Sequence, residues 1–171
     1  MANPLSTLGI IHTAISLAPV VSGLYGFARY GAIVPATRSG KIYLATLVLA
    51  VLTAAGLSST GGFNEGHALG IVTLAVIAGS LAIERLAFVG HLKPYLTTLG
   101  FSFSYFLLIV PAIAETLKRL PASQPLAGGP ESPIVQTTLL AWLVIFLAGL
   151  SVQAYLIHKR ALVRARAPRS Y

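Results

Sequence analysis

Gly66-His67-Ala68-Leu69-Gly70-Ile71-Val72-Thr73-Leu74-Ala75-Val76-Ile77-Ala78-Gly79-Ser80-Leu81-Ala82 is an apolar run whose polar interruptions stop at one threonine and one serine after its histidine. Extended to about Phe88, it reaches the roughly 20 residues that carry a helix across a bilayer. Upstream, Ser58 to Gly62 is a turn of serine, threonine and glycine. The stretch Gly61-Gly62-Phe63-Asn64-Glu65-Gly66-His67 therefore places a carboxylate and a histidine at the mouth of a hydrophobic helix.

Four more runs share this character. They are Leu8 to Ala28, Lys41 to about Leu57, about Tyr95 to Leu117, and Ile134 to Ile157. Pro19 and Pro111 lie inside two of them, and a spanning helix tolerates proline with a kink. Ser22, Gly23 and Gly26 in the first run, with Gly70 and Gly79 in the third, make small-residue faces on which another helix packs closely. The segment Leu99-Gly-Phe-Ser-Phe-Ser-Tyr-Phe106 alternates like a strand. A lone strand leaves its backbone polar groups unpaired in lipid, so a helix with its serines on one flank is expected. Four prolines and two glycines make Lys118 to Pro133 a loop.

The expected fold is all-α, an integral membrane bundle of five transmembrane helices forming one domain over residues 1–158, with a basic tail over 159–171. Composition agrees. Of 171 residues, 56% are hydrophobic and 9% charged, whereas soluble domains carry about 25% charged residues. The absence of cysteine removes disulfides, thiolate metal sites and thiol nucleophiles. The N-terminus lacks a basic n-region and a small-residue cleavage pattern, so the first run is expected as a retained span.

The net charge of +8 is distributed by loop. Arg29, Arg38, Lys41, Arg85, Lys93, Lys159, Arg160, Arg164, Arg166 and Arg169 share one side, and only Lys118 and Arg119 fall on the other. The positive-inside rule then puts the N-terminus out and the C-terminus in, within a bacterial cytoplasmic (inner) membrane. The tail from Lys159 to Arg169 is expected against anionic headgroups. No aromatic residues interleave its charges, which argues against a nucleic-acid partner. The partners expected are the lipid bilayer and other membrane subunits or further copies of the chain.

Histidines carry the chemical hypotheses. His12 and His67 fall near the outer surface, His91 and His158 near the inner one. Neutral imidazoles from different helices can hold a haem iron from both faces. Two such haems would relay electrons across the membrane, an arrangement loosely similar to the di-haem b-type cytochromes. The plainer reading makes the same histidines interfacial polar residues. His12 stands apart because it lies a turn inside the apolar run, where ionisable groups are costly. His12, Glu65 and His67 together offer two imidazoles and a carboxylate, a first shell suited to zinc, copper or iron. Against that, Glu65 fits the first turn of a helix, where the dipole favours it. Glu84 is expected to pair with Arg38 or Lys41, and Glu115 to have Lys118 and Arg119 as helix-spaced neighbours. Tyr25, Tyr30, Tyr43, Tyr95 and Tyr155 fit aromatic-belt anchors. No nucleophile motif, phosphate loop or dinucleotide glycine pattern occurs.

Arg38-Ser39-Gly40-Lys41-Ile42-Tyr43 and His91-Leu92-Lys93, with His12 in the first helix, resemble a family of small bacterial multi-pass membrane proteins of unknown function. The resemblance covers roughly residues 8–117. Thr37 stands where that family tends to carry a histidine. It implies a helical membrane fold and no established activity. Three functions stay open: a redox protein or subunit binding haem b or a transition metal, a cofactor-free accessory subunit of a membrane complex, and a small-solute or ion transporter.

Overall fold

A computed structural model describes residues 6–57 and 62–166, with the side chains of 164–166 left out. Five α-helices appear: α1 (Thr7–Tyr30), α2 (Arg38–Ala55), α3 (Glu65–Arg85), α4 (Lys93–Arg119) and α5 (Pro133–Arg166). All five are long and apolar enough to cross a membrane. A 3-10 turn, Gly90–Leu92, leads into α4. The segment expected as a tail after residue 158 continues α5 to Arg166. Both inner prolines are accommodated without ending their helices.

Helices α1 to α4 pack in sequence order, and α4 closes back onto α1. Helix α5 packs on α4 from outside this ring. Helix α4 is accordingly the most buried of the five and α5 the least. Short connections make neighbours antiparallel. One end of the bundle therefore holds the α1–α2 and α3–α4 turns with the end of α5. We term it the basic end, because Arg29, Arg38, Lys41, Arg85, Lys93 and Lys159 lie there with Arg160. The opposite, histidine end holds His12, His67 and the long α4–α5 loop.

The core runs along the inner faces of α2 and α4. Tyr43, Leu47 and Ala50 recur at helical spacing and are all buried, as are Phe101 and Tyr105 opposite them. Tyr43 is thus not a belt residue, for it is fully enclosed. Its register with Leu47 and Ala50 turns it inward although it sits near the start of α2.

Glycines set how closely the helices approach. A Cβ at Gly23 would meet the Tyr105 ring at 2.6 Å, and one at Gly70 would meet Val51 Cγ1 at 2.9 Å. One at Gly40 would overlap the Val34 carbonyl, because the α1–α2 connection folds back over the first turn of α2. At the end of α1, Gly31 adopts φ 75° and donates its N–H to the Phe27 carbonyl, a left-handed cap that glycine makes without strain. Gly79, by contrast, has nothing within 4 Å of a Cβ position.

These contacts separate two glycines of one sequence type. Gly40→Ala meets backbone that no side-chain rotation can clear, and it should lower the melting temperature of the detergent-purified protein by several degrees. Gly79→Ala should leave it unchanged or slightly raised, since alanine favours helix over glycine. Equal melting temperatures for the two variants would contradict the packing described.

Candidate functional site

In hydrocarbon a polar side chain has only protein to bond to. Three groups of polar side chains along this bundle join different helices.

At the histidine end, Asn64 caps α3. Its side chain accepts from the His67 N–H at 3.1 Å, and His67 Nδ1 accepts from the Asn64 N–H at 3.1 Å, a reciprocal capping box. With Nδ1 accepting, the ring proton sits on Nε2, which donates to the Ala55 carbonyl at 3.1 Å at the end of α2. Phe63 stacks on the imidazole at 5.7 Å. Helix α1 reaches the same end of α2 through His12, whose Nδ1 lies 3.0 Å from Thr53 Oγ1. The Thr53 hydroxyl has one proton and directs it to the carbonyls of Leu49 and Ala50. His12 is therefore the donor through Nδ1, the opposite tautomer to His67. Among the described residues the remaining lone pair, on Nε2, meets only Ser16 Oγ at 3.4 Å.

Midway, Tyr43 and Ser104 hydroxyls lie 2.7 Å apart. Ser104 gives its own proton to the Phe101 carbonyl at 2.8 Å, so Tyr43 donates across the bundle from α2 to α4. The Tyr105 hydroxyl donates to the Val20 carbonyl of α1 at 3.3 Å.

The third group fastens α5. Gln153 accepts from Ser102 Oγ at 2.9 Å and donates through Nε2 to the Gly31 carbonyl at 2.8 Å. One amide thus joins α5, α4 and the end of α1. Above it Trp142 Nε1 donates to the Phe106 carbonyl at 3.2 Å, while Phe106 stacks on Trp142 and packs on Phe146 at 4.8 Å. The serines of α4 therefore serve opposite sides. Ser102 and Ser104 stand about 200° apart around the helix, one toward α5 and the other toward α2, not on one flank as the alternation suggested.

The expected site residues separate accordingly. His12 and His67 share one end of α2 without bonding to each other. Glu65 is the first residue of α3 and exposed, as its dipole reading anticipated. Among the described residues no group of three His, Asp or Glu gathers, so His12, Glu65 and His67 do not form a shell. His91, in the 3-10 turn, and His158, near the end of α5, are exposed, and their side chains make no hydrogen bond among the described residues. Haem b fits the histidine end poorly. The only lone pair of His67 already caps α3, and Gly23 and Gly70 are packed against Tyr105 and Val51. Glu84 forms no ion pair among the described residues; its backbone carbonyl instead accepts from Lys93 Nζ at 3.1 Å. Glu115 is bridged by Lys118 and Arg119.

Two openings mark the surface. An apolar groove of about 580 Å³ runs between α3 and α5, floored by Gly79, Ser80 and Gly100 and walled by Phe103, Phe146 and Leu150. A narrower cleft of about 260 Å³ opens at the basic end and includes Tyr30, Thr98, Gln153 and Arg160. Sequence reading missed Gln153, whose signal was an amide deep in an apolar run. It also missed the cap formed by Asn64 and His67. Comparison with protein-family models, curated proteins and solved structures finds no match.

The clasp and the cap each have a distinguishing test. A double-mutant cycle of Ser102→Ala and Gln153→Leu should give a coupling of about 1 kcal/mol, the scale of hydrogen bonds between membrane helices. Additive effects would show that the two side chains do not pair. His67→Ala should cost about 1 kcal/mol, as loss of a helix cap does, whereas His91→Ala should cost nothing measurable. Thermal unfolding in detergent reads both.

Proposed function

We propose that the protein is a cofactor-free accessory subunit of a larger assembly in a bacterial cytoplasmic membrane. The observation that carries this is a division of labour in the bundle. Its interior polar groups are bonded within the bundle, and both nitrogens of His67 are engaged, one in the cap of α3 and the other in a tie to the end of α2. Its outer surface keeps an open apolar groove floored by glycine and serine. Small residues at a groove let a further membrane helix approach closely and gain packing contacts in lipid. Ser80 already donates to the Val76 carbonyl at 2.7 Å, so the floor asks for no polar partner. The charge distribution favours the basic end as the cytoplasmic one.

A second reading, a histidine-bound redox centre, is favoured by one feature. His12 Nε2 keeps a lone pair engaged only by a long contact, so a single-histidine haem or metal site there would break less structure than one that recruits His67.

Assembly size and an optical spectrum decide between them. Extracted from its own membranes in mild detergent, the protein should migrate as a complex well above its 17.9 kDa chain mass. Gly79→Trp should fill the groove and release the chain from that complex, with its melting temperature kept. Oxidised and reduced spectra should show no stoichiometric haem, and metal analysis no stoichiometric metal. A haem band or bound metal lost in His12→Ala, together with migration as a single chain, would replace the subunit reading with the redox one.

A further inference from the structure

The cleft at the basic end has features the helix-packing role leaves unused. It opens where the α1–α2 turn, the start of α4 and the last turns of α5 meet. Val34, Pro94, Leu156 and Ile157 give it apolar walls. Three polar side chains lie in it with capacity to spare. Arg160 makes no ion pair among the described residues. Among the described residues the hydroxyls of Thr98 and Tyr30 make no hydrogen bond, unlike the neighbouring Thr97, which donates to the Lys93 carbonyl at 2.9 Å. Gln153, at the back, is fully used in the clasp and holds the walls together. An arginine and two hydroxyl-bearing residues lining an apolar recess are complementary to an anionic group attached to an aliphatic chain.

Position selects the form of that anion. Arg29, Arg38, Lys41 and Lys93 ring the same end of the bundle. Of the four acidic residues, Glu65, Glu115 and Glu131 lie at the opposite end, leaving Glu84 alone here. Helix ends lie at headgroup depth, and clusters of basic residues there attract anionic lipid. We propose that the cleft is a binding site for one anionic phospholipid. The headgroup phosphodiester sits on Arg160, Thr98 and Tyr30, and an acyl chain lies along Leu156 and Ile157. Lipid then wedges α5 against α4 and the α1–α2 turn, at the edge of the helix that packs least on the rest. This inference is independent of the groove and of the subunit reading, since it concerns a different face.

Native mass spectrometry of the detergent-purified full chain tests it, with phosphatidylglycerol or phosphatidylcholine added. Phosphatidylglycerol should be retained as a single tight adduct and phosphatidylcholine should not. Arg160→Gln and Thr98→Val should each weaken that adduct, the former by roughly fivefold, the scale of one basic residue at a charged membrane surface. Lys159→Gln removes the same charge one residue away, outside the cleft, and should leave the tight adduct in place. Three results would overturn the proposal. Equal loss in Lys159→Gln and Arg160→Gln would mean diffuse surface charge. An adduct unchanged in both Arg160→Gln and Thr98→Val would place the lipid elsewhere. Displacement of the lipid by millimolar inorganic phosphate would mean that a free anion, not a lipid, is the occupant. Because Thr98→Val is isosteric and keeps every helix contact described, it remains informative if Arg160→Gln fails to fold.

Discussion

A polar atom in hydrocarbon has no water to turn to, and the rest of this structure depends on that constraint. Apolar side chains are as comfortable in lipid as against each other, so burial alone does not hold five helices in one arrangement. Directed bonds do. The donors and acceptors of this chain are few, and the described ones inside the bundle lack no partner. His12 and His67 tie α1 and α3 to the end of α2. Tyr43 ties α2 to α4, and Gln153 ties α5 to α4 and α1. Each bond also fixes a tautomer or a proton. A shift of any helix by one residue would therefore strand a donor where nothing replaces its partner.

Close approach is the second condition, because hydrogen bonds of this kind need backbones near one another. Gly23, Gly70 and Gly100 provide it at three different interfaces. At Gly100 the facing residue is Ser80, itself small and bonded to its own helix, so α3 and α4 meet almost backbone to backbone. The same economy explains the groove. Where α5 turns away from α3, the small residues of that interface continue onto the surface and leave a channel.

Legibility in the sequence followed length and pattern. The five spans were readable because about twenty apolar residues in a row admit few other interpretations. Glu65 at a helix start and Glu115 beside Lys118 and Arg119 were readable because they depend on neighbours within one turn. What failed depended on tertiary register. Tyr43 looks interfacial by position and is fully buried by its phase with Leu47 and Ala50. Ser102 and Ser104 look like one stripe and serve two partners. His67 attracted attention as an ionisable group, and its neighbour Asn64 three residues earlier was the better clue, since that spacing defines a capping box. The expected ligand set of His12, Glu65 and His67 needed Glu65 in the turn before α3, whereas it is the first residue of that helix, two positions from His67 and on a different face.

The two ends of the bundle then read as chemically different solutions to one boundary problem. At the histidine end, helix termini are satisfied internally: Asn64 and His67 close α3, and Glu115 is neutralised by Lys118 and Arg119. At the basic end, Gly31 and Lys93 bond late carbonyls of α1 and α3, but among the described residues the cations around them form no ion pair. A surplus of fixed positive charge at one boundary is stable when the surroundings supply the negative charge. An anionic headgroup does so at the depth where these side chains end, and the cleft beside Arg160 adds shape to that attraction. The same charge asymmetry on which the positive-inside expectation rests thus also provides an electrostatic reason for the proposed lipid. Insertion and lipid recognition draw on one distribution of charge.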